Sequence, residues 1–103
     1  MTEYGIDFPE GFDEFEWEAE AKGWLQGAVV TINRRRYRVT FYDPIRLAQD
    51  IEDELQEKSV YLESNVLVVA SITREQMRAA VEVVAKNGRH VDMIPEEETG
   101  TKD

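Results

Sequence analysis

The segment Glu14-Phe15-Glu16-Trp17-Glu18-Ala19-Glu20-Ala21 alternates carboxylates with apolar residues without a break. A period of two is the spacing of a β-strand, so the pattern predicts a strand with four glutamates on one face and Phe15, Trp17, Ala19 and Ala21 on the other. Such a strand needs partners that present matching apolar faces. Trp24 to Asn33 and Tyr37 to Tyr42 supply them, with Lys22-Gly23 as one turn and Asn33-Arg34-Arg35-Arg36 as the next.

Two-residue loops at Lys22-Gly23 and Arg34-Arg35 put Trp17 opposite Ala28, Ile32 opposite Tyr37, Val30 opposite Val39 and Ala28 opposite Phe41. All three strands then share one apolar face. The opposite face holds the four glutamates with Leu25, Val29, Thr31, Arg36, Arg38 and Thr40, so Arg36 and Arg38 are expected to balance some of those acids across the sheet. The turn is unusual, because arginine does not favour positive φ.

Helices follow. Asp43 is placed to cap one, with Pro44 at its first position, where a missing N–H costs nothing. Leu47, Ala48, Ile51 and Leu55 then recur at helical spacing to about Lys58. Val66 to Ser71 is apolar on both alternating faces, the pattern of an interior strand covered on both sides. Thr73 and Gln76 have capping-box spacing, Ile72 and Met77 staple spacing, and Asn87-Gly88 closes the second helix. His90 to Ile94 reads as a short last strand.

The expected fold is therefore α/β, a two-layer sandwich of order β-β-β-α-β-α-β, with an N-terminal antiparallel meander in a mixed sheet packed by two helices. Residues 1–13 are expected to form an irregular lead-in, residues 14–94 a single domain and residues 95–103 an acidic flexible tail. A chain of 103 residues supports one modest core.

Charge bounds the partners. The net charge is −10, and its distribution is uneven: residues 1–21 hold eight acids and no base, residues 22–46 six bases against Asp43, and residues 47–64 six acids against Lys58. An acidic chain repels nucleic-acid backbones and anionic membranes and attracts basic proteins. No apolar run is long enough to span a bilayer and no secretory leader begins the chain, so a cytoplasmic location is expected. The absence of cysteine removes disulfides and thiolate chemistry.

No catalytic constellation, cofactor motif or metal-binding loop is evident. His90 is the single histidine, and glutamates spaced along a strand do not wrap an ion. The expected function is non-enzymatic: an acidic protein-binding module, analogous in role to immunity proteins and other inhibitors of basic proteins. Its partner surface would combine Glu14, Glu16, Glu18 and Glu20 with Asp50, Asp53, Glu54 and Glu57, and Trp24 beside the first turn as an aromatic anchor. Two readings compete with it. One is a homo-oligomeric module using a β-edge or the Leu25 and Val29 region, and the other a small enzyme assembled from Tyr42, Tyr61, His90 and nearby acids.

Overall fold

The computed structural model describes residues 3–96. Its elements run β1 (Tyr4–Asp7), α1 (Phe12–Lys22), β2 (Trp24–Ile32), β3 (Arg35–Tyr42), α2 (Pro44–Lys58), β4 (Val66–Val68) and α3 (Arg74–Lys86), followed by a 3-10 turn at Arg89–Asp92. The sheet order is β1-β2-β3-β4, antiparallel except for the parallel pair β3 and β4. This is a mixed α/β domain with a four-stranded sheet packed by helices in a general two-layer arrangement.

The alternating segment is a helix, which overturns the expected first strand. Gly11 and Gly23 bracket it, both in the left-handed region at φ 78° and 75°, and the Gly23 N–H bonds back to Ala19 and Glu20. Glutamate and alanine favour helices and are depleted in strands. Phe12, Phe15 and Ala19 provide an i, i+3, i+7 stripe, and Phe12 and Ala19 are buried while Phe15 packs at the core margin across a local kink. Trp17 was expected in the core; it is 71% exposed.

The strand that replaces it, β1, comes from the stretch expected to be irregular and pairs Ile6 with Val30. The β2–β3 hairpin closes one residue earlier than expected, at Asn33-Arg34, which shifts the cross-strand partners of Ala28 to Ile32 by two. Asn33 and Arg34 both take positive φ, 51° and 75°, as a type I′ turn requires, and Ile32 faces Arg35 while Val30 faces Tyr37. A shift of two preserves which face each side chain occupies. The apolar face of Ala28, Val30, Ile32, Tyr37, Val39 and Phe41 therefore survives the correction. Leu25 does not stay on the polar face. A bulge between Gln26 and Ala28, with Gly27 at φ 94°, turns it into the core opposite Phe41.

α3 completes this core with Met77, Val81 and Ala85, and Ile72 ahead of it is fully buried. Its cap forms as the sequence predicts, the Gln76 N–H donating to the Thr73 hydroxyl at 3.2 Å. α2 is also capped as expected, by Asp43 Oδ1 accepting from the Arg46 N–H at 2.8 Å. Unlike α3, it has no buried residue: Leu47 and Ile51 are half-buried and Leu55 is exposed.

Two further expectations change. β4 spans three residues at the sheet edge, with Val68 half exposed, so its apolar run does not mark an interior strand. The expected strand from His90 to Ile94 is the 3-10 turn. Of the expected tail, Pro95 is buried and Glu96 is held by arginines; residues 97–103 lie outside the described residues. Among the described residues no helix is long and apolar enough to cross a membrane.

Candidate interaction surfaces

Helical geometry redistributes the four glutamates. Residues two apart on a helix point about 200° apart, so Glu14, Glu16, Glu18 and Glu20 no longer form one stripe. Glu16 turns inward and accepts from Arg74 Nε at 3.0 Å. Glu14, Glu18 and Glu20 remain exposed, together with Trp17 and Ala21. The outer surface of α1 is thus an indole among carboxylates.

Arg74, the first residue of α3, holds this helix in place. Its guanidinium pairs with Asp13 as well as Glu16, and lies 5.0 Å from the Phe8 ring centre and 4.9 Å from that of Phe12. Phe8 stacks on Phe12 at 4.8 Å, and Phe12 meets Phe15 edge-on at 5.4 Å. The hydrogen bond that the guanidinium donates to Glu16 leads the effects that raise its already high pKa. Cation, carboxylates and rings therefore fix α1 before any partner arrives.

α2 meets the sheet at Trp24 and Tyr42, paired residues whose side chains point away from Leu25 and Phe41. The Arg46 guanidinium sits 5.3 Å from the Trp24 ring centre, and Arg46 Nε donates to Asp50 Oδ1 at 3.1 Å. Trp24 is half-buried there. Glu54 pairs with Lys58 at 3.4 Å, whereas Asp53 and Glu57 are exposed. The two acidic helices come together at their ends, where the Asp43 N–H donates to Gly23 O at 2.8 Å. The acids of α2 lie further along that helix.

Arg36 and Arg38 pair with Glu96, at 3.2 and 2.6 Å, and not with any glutamate of the alternating segment. The sequence could not show this, because the partner lies in the stretch read as a free tail. Asn65, which ties the same region together, was also missed. A left-handed asparagine carries no periodic signal.

The residues considered for an assembled active site are separated. Tyr42 and Tyr61 perturb each other near Asp50: burial, then the Asp50 carboxylate, pushes the Tyr42 phenol well above its usual range, and burial raises Tyr61. The Tyr61 hydroxyl is buried without a hydrogen bond of good geometry. His90 instead lies edge-on to Tyr37 at 6.3 Å, in a cleft of about 380 Å³ at the other end of β3. Five steps along the strand separate Tyr37 from Tyr42, roughly 17 Å. Among the described residues, no three acidic or histidine side chains converge as metal ligands.

Comparison with known proteins found no matching family model, no matching curated protein and no matching solved structure.

Proposed function

We propose that the protein is a non-enzymatic interaction module that docks α1 onto a basic protein surface. The observation that carries this reading is Trp17, 71% exposed on a helix whose neighbouring exposed positions include Glu14, Glu18 and Glu20. A large indole left in water on a well-anchored helix has little to gain in the free protein, and it is the side chain type that most often dominates binding energy when a partner buries it. Carboxylates around it favour a cationic rim on that partner, and the net charge of −10 speeds their encounter.

This reading moves the aromatic anchor from Trp24 to Trp17, because Trp24 is already engaged by Arg46. It also gives the acids of α1 more weight than Asp50 and Glu54, each of which has a cation on its own helix. The proposed partner is a protein with an apolar pocket bordered by lysine or arginine, as in an inhibitor's basic target.

The test is capture from a native extract with the wild-type chain, Trp17→Ala and a triple Glu14→Lys, Glu18→Lys, Glu20→Lys variant in parallel. A basic protein retained by the wild type and lost by both variants supports the reading. With that partner purified, Trp17→Ala should mainly speed dissociation and the charge reversals mainly slow association. Equal retention by all three chains overturns it.

A further inference from the structure

The open edge of β3 holds a second cluster of polar contacts, which includes no residue of α1. β4 pairs with β3 only from Thr40 to Tyr42. Beyond Thr40 the place of a longer β4 is taken by one side chain, that of Asn65, which sits in the left-handed region at φ 58°. Its main-chain oxygen accepts from the Thr40 N–H at 3.0 Å, and its amide nitrogen donates to Arg38 O at 3.0 Å. The same amide group then reads another segment. It donates to Ile94 O at 2.9 Å and accepts from the Ile94 N–H at 2.9 Å.

Three successive residues are recognised by three kinds of contact. Both main-chain polar groups of Ile94 are taken by Asn65, Pro95 is buried, and the Glu96 carboxylate lies between Arg36 Nε and Arg38. Arg36 and Arg38 are alternate residues of β3, so their side chains leave the same face of the strand. A planar side-chain amide that satisfies one N–H and one C=O of the same residue is a way to hold a peptide segment without adding a strand to the ladder. Release of residues 94–96 would leave every strand pair of the sheet intact.

We propose that Asn65, Arg36 and Arg38 form a peptide-binding site for an apolar-Pro-Glu segment, which residues 94–96 fill in cis and which a partner's matching segment enters by exchange. The cis segment is covalently attached and competes at high effective concentration, so the intact chain presents a masked site with weakened apparent affinity. A partner peptide gains access when the clasp on Glu96 is loosened. The site shares no residue with α1, so its failure and that of the docking surface on α1 are separate outcomes.

The test uses the full-length chain and a fluorescent peptide with the sequence of residues 91–98, read by fluorescence polarisation. Glu96→Lys sets a cation against two arginines and opens the cis contact. That variant should bind the peptide at least tenfold more tightly than the wild type. Adding Asn65→Ala, or Arg36→Ala with Arg38→Ala, should abolish the gain, and a scrambled peptide of the same composition should not bind. Glu96→Gln, a milder opening, should give an intermediate affinity, and circular dichroism checks that each variant is folded. If folded Glu96→Lys and Glu96→Gln chains bind the peptide no better than the wild type, or bind the scrambled peptide equally well, the contact only ties down residues 94–96 and the proposal is overturned.

Discussion

Two acidic helices meet at the junction of Gly23 and Asp43, and the molecule holds them in different ways. α1 has no side-chain cap, yet it buries Phe12 and Ala19 and is clamped by Arg74. α2 has an aspartate cap and a proline start, yet none of its residues is buried. Capping decides where a helix begins; burial decides how firmly it is held. Acids on α1 surround an indole carried by a helix whose position is fixed, which lowers the ordering cost of binding. Those on α2 either pair along their own helix or face solvent.

The largest test of that contrast is a pair of truncations. Phe12→Ala should destabilise the protein by about 3–5 kcal/mol, as expected for removing a buried aromatic, whereas Leu55→Ala should cost less than about 1 kcal/mol because that side chain is already half in water. Chemical denaturation measures both, and comparable losses would erase the distinction. Next comes the junction. A Cβ on Gly23 would overlap the Asp43 carboxylate and would also have to accept φ 75°. Gly23→Ala should therefore cost about 2–4 kcal/mol, from the left-handed penalty and overpacking together.

A smaller effect sharpens the comparison from the other side. Trp17→Ala should change unfolding free energy by no more than about 0.5 kcal/mol, the range of surface substitutions. A loss near that of Phe12→Ala would show that the indole is structural after all. The smallest effect concerns acid. Hydrogen bonds from Arg38 and then Arg36 hold the Glu96 carboxyl below the usual carboxylate range. A carboxyl whose folded value is depressed contributes stability above its unfolded value and loses that contribution as pH falls through the folded one. The Ile94 amide resonance should stay constant from neutral pH down through the ordinary carboxylate range and move only below it. Glu96→Gln should remove that step, and a midpoint above the ordinary range would contradict the clasp.

The sequence was most readable where a residue's role is local. Asp43, Pro44, Thr73 and Gln76 act on backbone groups within one turn, and α2 and α3 begin where those residues predict. The β2–β3 hairpin was readable as a pair with its cross-strand partners shifted by two, because alternation fixes the face of a strand and not its partner. Glu14 to Ala21 misled for a different reason. Alternation and an i, i+3, i+7 stripe coincide when Phe12 and Phe15 precede Ala19, and the two bracketing glycines decide between them. Among the interaction residues, the exposure of Glu14, Glu18 and Glu20 agrees with their acidic pattern. Arg74, Asn65 and Glu96 depend on contacts between residues far apart in the chain, which no local pattern carries.

The turn at Asn33 has one more consequence. Its main-chain N–H donates to Glu3 O, and its side-chain oxygen accepts from the Glu3 N–H. The residue that closes the β2–β3 hairpin thus also fastens the start of β1. Hairpins close early because their contacts are local, and a strand that joins from across a helix follows later. During synthesis β1 must therefore wait for residue 33 before it has a complete place to dock, whereas the segment around Ile94 is made only after Arg36, Arg38 and Asn65, the residues that receive it.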